Sequence, residues 1–134
     1  MTIKTVVVLD VIYRNSPSTV ATDMNIQISL DDLKTLTVGA ALLKGYLVAE
    51  STAMLTRQMK IVQSEDDEIL LEEMKNGWFL FSMAKIWYDI GMTAPRQSKY
   101  LKELRGKGII KTEIWDPPGY RHIRVRKENE IGQR

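Results

Sequence analysis

Residues that could bind a polyanion are concentrated in the last third of the chain. The candidates between positions 96 and 126 are Arg96, Ser98, Lys99, Lys102, Lys107, Lys111, Arg121, His122, Arg124 and Arg126. A lysine ammonium group pairs with phosphate oxygens, and the planar guanidinium of arginine matches the two acceptors on the major-groove edge of guanine. The chemistry that these residue types could perform is recognition of a nucleic acid.

The distribution of charge supports the same chemistry. The formal net charge is only +2, but residues 1–92 hold 8 Lys/Arg and 12 Asp/Glu, a balance of −4, whereas residues 93–134 hold 11 and 5, a balance of +6. A localised basic surface is typical of polyanion binding, because each neutralised phosphate releases condensed counterions. The alternative is that these cations only solvate an exposed helix and hairpin.

Other kinds of site fit the sequence poorly. A run of carboxylates could hold a metal ion: Glu65, Asp66, Asp67, Glu68, Glu72 and Glu73. No histidine or glycine-marked calcium loop accompanies them, so we predict a solvated acidic face that repels DNA and so orients it, or binds a basic partner. His122 is the only histidine and has no nucleophile or metal-ligand pattern beside it. The chain lacks cysteine and phosphate-cradling glycine motifs, so we expect no enzymatic activity, cofactor or metal.

Two short helices joined by a tight turn would position the first group of basic residues. Ser82 can cap a helix over residues 83–90, and Gly91 can end it. Thr93 can cap a second helix over residues 94–105. Helical spacing predicts the buried side of the first helix, which is Met83, Ile86, Trp87 and Ile90. It also predicts a narrow buried side on the second, which is Gln97, Leu101 and Leu104. The free side of the second helix is basic.

A β-hairpin would carry the remaining basic residues. Residues 109–115 form a β-prone run, and residues 120–126 alternate with period two, which predicts a strand with one charged face. The sequence Asp116-Pro117-Pro118-Gly119 between them is typical of a chain reversal. The order of elements predicts a helix-turn-helix followed by a wing.

Four motifs carry a resemblance to a known family. They are Gly77-Trp78-Phe79 before the first helix, Gly91-Met92-Thr93 before the second, Leu104-Arg105-Gly106-Lys107-Gly108-Ile109-Ile110 at its end, and a basic run from Tyr120 to Arg124. Residues 77–125 therefore resemble the winged-helix DNA-binding domains of bacteriophage and plasmid replication initiators and small regulators. One departure is Gln97, which stands where many winged helices have a buried aliphatic residue.

The resemblance implies an α+β winged helix-turn-helix, with a three-helix core and a β-hairpin wing, that binds double-stranded DNA in replication initiation or transcription regulation. It places the second helix in the major groove, with base or phosphate contacts from Arg96, Ser98, Lys99 and Lys102. It places the wing on the DNA backbone or minor groove through Arg121, His122, Arg124 and Arg126. Lys107 and Lys111 would flank these contacts.

The remaining segments are expected to surround this unit. We predict strands at residues 3–13 and 25–29, a short helix over 29–36, a helix capped by Thr37, and an acidic helix capped by Ser64. The strands could pair as a hairpin that covers the winged helix or joins a partner chain. Residues 78–81 should form a strand that pairs with the wing. The predicted division is an N-terminal extension (1–30), the DNA-binding domain (31–127) and a tail (128–134).

The sequence also allows predictions of the cellular location of the protein and of its binding partners. No secretory leader is evident, and no apolar run approaches the about 20 residues of a membrane span. We therefore expect a cytoplasmic protein without a membrane partner. A single short module contacts little DNA, so we expect a homodimer or an array on repeated sites, with a replication or transcription protein as a further partner. Two alternatives are a winged-helix adaptor that binds protein, and a single-strand binder that stacks bases on exposed aromatic residues.

Overall fold

The computed structural model describes residues 6–12, 23–115 and 119–126, and it shows an α+β protein with five helices and two antiparallel sheets in these ranges. The elements are β1 (Val6–Ile12), β2 (Asp23–Ser29), α1 (Leu30–Thr35), α2 (Val38–Ile61), α3 (Glu65–Lys75), β3 (Trp78–Leu80), α4 (Met83–Ile90), α5 (Ala94–Gly106), β4 (Ile110–Trp115) and β5 (Tyr120–Val125). The predicted turn residues 116–118 and the predicted tail 128–134 lie outside the described residues.

The two sheets have the pairings that the sequence predicts. In the first, β1 and β2 are antiparallel, with Val6 opposite Ser29. In the second, the strand order is β3-β5-β4, with Trp78 opposite Arg124 and Trp115 opposite Tyr120. The predicted pairing of the short strand after Gly77 with the hairpin is confirmed.

Helix starts follow the predicted caps. The side chains of Ser29, Thr37, Ser64 and Ser82 each accept a hydrogen bond from a backbone N–H in the first turn of the following helix. Thr93 precedes α5 in an extended conformation but makes no such side-chain bond. Gly91 ends α4 with φ 70, a left-handed conformation that suits glycine. Local capping chemistry therefore determines most of these boundaries.

Helix α2 is the centre of the core. It continues unbroken to Ile61, and most of its buried residues lie in its first half. Val38 is 71% exposed, because it is the first residue of the helix and the core-facing side begins at Ala40.

The N-terminal hairpin covers one side of α2. Ile26 and Ile28 of β2 are buried in the same apolar cluster as Leu104 of α5 and Ile123 of β5. A β-carbon on Gly45 of α2 would lie 2.7 Å from the Ile26 side chain and 2.8 Å from the backbone oxygen of Gln27. Glycine at position 45 therefore permits the close contact of hairpin and helix.

The expectation that no segment approaches membrane-spanning length is not met by α2. By length and composition this helix could cross a membrane, and it is the one helix in the described part of the chain that could. A core helix passes the same test, and α2 has the contacts of one, since it packs on β2 and α5. It also carries Glu50, which is buried in an ion pair with Lys85 of α4.

The buried side of α4 differs from the prediction. Trp87 is 49% exposed and Met83 is also exposed, whereas Ile86 and Asp89 are buried. Asp89 is stabilised inside because the Tyr46 hydroxyl donates to it at 2.5 Å and the Lys85 ammonium at 3.1 Å. A buried carboxylate with two such donors avoids most of the cost of desolvation. The sequence of α4 alone does not reveal these polar contacts to α2. Because of them, α4 turns Asp89 toward the core and leaves Trp87 at the surface.

Candidate nucleic-acid interface

The turn between α4 and α5 is held by one buried amide. Gln97 is fully buried, and its Nε2 donates to the backbone oxygens of Met83 at 2.9 Å and Met92 at 2.8 Å. Its Oε1 is buried and makes no hydrogen bond within the described residues. The Gln97 amide therefore makes two hydrogen bonds where an aliphatic side chain would make none. They connect α5 to the first residue of α4 and to the turn between the two helices.

A second set of contacts fixes α5 on the beginning of α2. The Glu103 carboxylate accepts hydrogen bonds from the Thr37 backbone N–H at 2.9 Å and from its hydroxyl at 2.7 Å. These bonds, the backbone one first, lower the pKa of Glu103 below its ordinary 4.5. The ring of Tyr100 lies against Gly39, where a β-carbon would come within 2.1 Å of it. Helix α5 is therefore anchored at several points along its inner side.

The outer side of α5 is basic and exposed, as predicted. Arg96, Ser98, Lys99 and Lys102 are all exposed. Within the described residues none of these three cations forms an ion pair. The ammonium of Lys99 lies 5.8 Å from the centroid of the Tyr100 ring, and its charge also helps to lower the pKa of Glu103. Gln97, Leu101 and Leu104 are buried on the inner side, which confirms the predicted division of this helix. The exposed cations of α5 can therefore meet an external anion without first breaking an internal ion pair.

The two flanking lysines differ in their surroundings. The Lys107 ammonium donates to the backbone oxygen of Thr35, at the end of α1. Lys111 is exposed on β4, directly opposite Arg124 in the sheet. Lys107 thus has an internal partner, whereas Lys111 is presented to solvent.

The two arginines of β5 and Arg126, which directly follows the strand, are held by backbone oxygens. Nε of Arg121 donates to Phe81 at 2.9 Å, Nε of Arg124 donates to Asn76 at 3.0 Å, and Nη1 of Arg126 donates to Gly108 at 3.3 Å. Each of the three side chains is only partly exposed. Such bonds orient each guanidinium against the backbone. These arginines are therefore fixed by backbone oxygens, which distinguishes them from the exposed cations of α5.

Arg121 is the most enclosed of these cations. Burial lowers the pKa of its guanidinium, and the nearby positive charge of Arg105 lowers it further. Its Nη2 is buried and has no hydrogen-bond partner among the described residues. The main contact of Arg121 is thus internal, to the end of β3.

His122 is buried rather than presented on the hairpin. Its ring stacks on Trp115 with centroids 3.6 Å apart, and Trp115 lies 6.1 Å from the Trp78 ring. This aromatic cluster (Trp78, Trp115 and His122) lies on the sheet face opposite Phe79 and Ile123, which are buried in the core. The sequence analysis did not foresee the cluster, because its members come from three strands.

Arg105 is a candidate that the sequence analysis did not select. It is exposed near the end of α5, and its Nη1 lies 3.4 Å from the hydroxyl of Thr112 on β4. It therefore lies between the basic side of α5 and the hairpin. Its position in the last turn of the predicted helix could have indicated a role in DNA binding. A cation at that position is equally well explained by stabilisation of the helix end.

The acidic helix forms where it was predicted. Ser64 caps α3, and its first turn contains Glu65, Asp66, Asp67 and Glu68. Among the described residues, no group of three or more His, Cys, Asp or Glu side chains is arranged to hold a metal ion. The carboxylates of this helix are instead spread over its surface.

Comparison of the chain with models of protein families, with curated proteins and with solved structures finds no match. The interface must therefore be interpreted from its own geometry.

Proposed function

We propose that the chain is a winged-helix protein that binds double-stranded DNA in a sequence-specific manner. The order of α2, β3, α4, α5, β4 and β5, with the sheet order β3-β5-β4, supports this proposal. In a winged helix the second helix of the helix-turn-helix reads the major groove and the hairpin contacts the backbone. The basic halves of α5 and of the hairpin coincide with these two positions.

The observation that carries the proposal is the exposed, unpaired basic side of α5. Arg96, Lys99 and Lys102 lie on successive turns of a helix whose opposite side is anchored in the core. A rigid helix that presents free cations satisfies the requirements of both base reading and phosphate binding. Ser98 adds a hydroxyl that can donate or accept. We propose that Arg96 reads guanine, and that the lysines contact phosphates or bases.

The contacts proposed for the hairpin are adjusted to the side-chain positions. Lys111 and Arg124 lie opposite each other on one face and can both approach a phosphate backbone. Arg126 stays among the cations proposed for the wing, and Arg105 is added as a flanking cation. Arg121 and His122 are enclosed, so we propose no DNA contact for them. Arg121 instead helps to position β5, and His122 helps to position Trp115.

The biological role proposed is replication initiation or transcription regulation in a phage or plasmid, in the cytoplasm of the host. One module covers a short site, so a homodimer or an array on repeated sites would supply the remaining selectivity. A single-strand binding activity is a second candidate, because the aromatic cluster is bordered by Lys111 and Arg124. That combination of aromatic and basic residues is suited to base stacking.

Selection from a random duplex library tests this function. The purified protein is incubated with the library at about 100 mM salt, where non-specific contacts are already weakened, and the bound sequences are read. An enriched motif, with one half-site or two, is the expected result. Binding without enrichment would remove sequence specificity, and preference for single-stranded competitor would favour the second candidate.

Two substitutions separate base reading from phosphate binding. Arg96→Ala should weaken binding to the selected site by about 1–3 kcal/mol and relax preference at one base position. Lys107→Ala should weaken selected and random duplexes alike. Equal loss on both duplexes for Arg96→Ala would remove its proposed reading role.

A further inference from the structure

A groove lies at the C-terminal end of α2. It has a volume of about 570 Å³ and is bounded by the last turns of α2, by α3, by β3 and by the start of α4. Its apolar lining consists of Met54, Ile61, Leu70, Met74 and Leu80. Three of these side chains, Ile61, Leu70 and Leu80, are also exposed. An open apolar groove of this kind is a common feature of protein interaction sites.

Helix α3 is poorly covered by its own chain. None of its residues is buried, and Ile69 is 62% exposed beside the exposed Leu70. Short helices gain most of their stability from packing an apolar side, and α3 has only 11 residues. The apolar side of α3 is therefore available for an additional contact.

The two edges of the groove carry opposite charges. On the α2 edge are Arg57 and Lys60, both of which line the groove, and Arg57 also pairs with Glu50. Lys85 at the start of α4 lines the groove as well, but its ammonium pairs with two carboxylates of its own chain. On the α3 edge, Asp66 and Glu73 are four residues before and three residues after Leu70, so helical spacing places them next to it. An occupant that is acidic throughout or basic throughout would match one edge and be repelled by the other. The groove therefore favours an occupant that places acidic groups against the α2 edge and basic groups against the α3 edge.

A second copy of the chain has that arrangement. A two-fold axis along the groove would place α2 of one copy over α3 of the other, so that each basic edge meets an acidic edge. The exposed Ile69 and Leu70 of each copy would then be covered by the partner. We propose that this groove is the interface of a symmetric homodimer formed by the α2–α3 ends of two chains.

This interface leaves α5 free. Helix α5 contacts the beginning of α2 at Thr37 and Gly39, whereas the groove begins at Met54. Fifteen residues of helix separate Gly39 from Met54, which corresponds to about 22 Å along the axis. The proposed dimer would therefore present two α5 helices, one at each far end. The inference does not depend on DNA binding, because its test measures mass alone.

Sedimentation of the full chain over a range of concentrations tests the proposal. A species with twice the chain mass of 15.4 kDa is expected at high micromolar concentration. Ile69→Glu should weaken the dimer by about tenfold or more, since it places a charge on the exposed apolar side of α3, beside the groove residue Leu70, which the partner would cover. Ile114→Glu is the matched control, because Ile114 is equally exposed at 60% but lies on β4, away from the groove. A monomer at every concentration would overturn the proposal, as would equal effects of the two substitutions.

A charge exchange identifies the pairing of the edges. Two variants are prepared: the single variant Lys60→Glu on α2, and a double variant on α3 that combines Asp66→Lys with Glu73→Lys. Each variant alone should weaken self-association, because it creates like charges across both halves of the interface. A mixture of the two variants should restore it, because unlike copies then pair opposite charges. Circular dichroism of each variant verifies that α3 remains folded. Folded variants that associate as the wild type does, or a mixture that does not recover, would show that the dimer is not formed by this groove.

Discussion

The carboxylate of Glu103 on α5 accepts two hydrogen bonds from Thr37, which is itself the N-cap of α2. The two residues are separated by 66 positions in the chain. Through this contact the helix that carries the exposed cations is fixed to the first turn of the longest helix of the core. The orientation of the candidate interface therefore depends on a polar contact at its edge as well as on the buried Leu101 and Leu104.

Replacement of Glu103 by Gln should lower stability at neutral pH by about 1 kcal/mol, because the amide keeps one acceptor oxygen but loses the negative charge and one of the two bonds to Thr37. The pKa of Glu103 is lowered by its bonds to Thr37, so its contribution is complete above the ordinary value of 4.5 and is lost as the pH falls through the lower folded-state pKa. The stability difference between wild type and Glu103→Gln should therefore shrink in acid. Chemical unfolding at several pH values measures it, with the exposed Glu68→Gln as a control. A difference that is independent of pH would contradict the role of the carboxylate.

Replacement of Gln97 by Met tests the buried amide. Methionine has nearly the same length and shape, but it leaves the buried backbone oxygen of Met92 without the donor that it has now. A buried acceptor left without a partner costs about 1–3 kcal/mol, and removal of the unpaired Oε1 of Gln97 offsets a part of this. We expect a net loss of stability together with weaker duplex binding. Unchanged stability would mean that the two hydrogen bonds do not hold the turn.

Replacement of Gly45 by Ala tests the contact between hairpin and helix. The added methyl group would press on the backbone oxygen of Gln27, so β2 must move and stability should fall by about 1–3 kcal/mol. Gly106→Ala is the control, since nothing lies within 4 Å of that position and alanine favours a helix. Thermal unfolding compares the two variants. An equally stable Gly45→Ala protein would show that the hairpin does not pack closely on α2.

The sequence predicted the elements well because their boundaries depend on local chemistry. Ser82, Ser64 and Gly91 determine helix ends through bonds within one turn, and glycine conformation needs no tertiary information. The basic side of α5 was also predictable, because its periodicity follows from the helix itself. Caps, glycine turns and helical periodicity depend only on residues that are close in the chain, so a single sequence is enough to predict them.

Contacts between distant segments explain what the sequence did not predict. Asp89 is buried because Tyr46 lies beside it, 43 positions away, and this leaves Trp87 at the surface. His122 lies under Trp115 because β4 and β5 pair in a particular register, so alternation alone suggested an exposed histidine. The groove likewise joins four elements, and no local pattern indicates it. The surroundings of a side chain on a strand depend on the neighbouring strands, and the sequence of one strand does not show which residues those strands place beside it.

The most direct test of the account is equilibrium binding of fluorescent duplex DNA across a range of salt concentrations. The wild type should bind with an affinity that falls steeply as salt rises, and each of Arg96→Gln, Lys99→Gln and Lys102→Gln should weaken binding. Loss of one phosphate contact should also reduce the slope of log affinity against log salt by about 0.9. Lys75→Gln, which removes the same charge from α3, should leave both quantities unchanged. Absence of duplex binding, or equal effects of the α5 and Lys75 substitutions, would contradict the proposal that α5 is a DNA-binding surface.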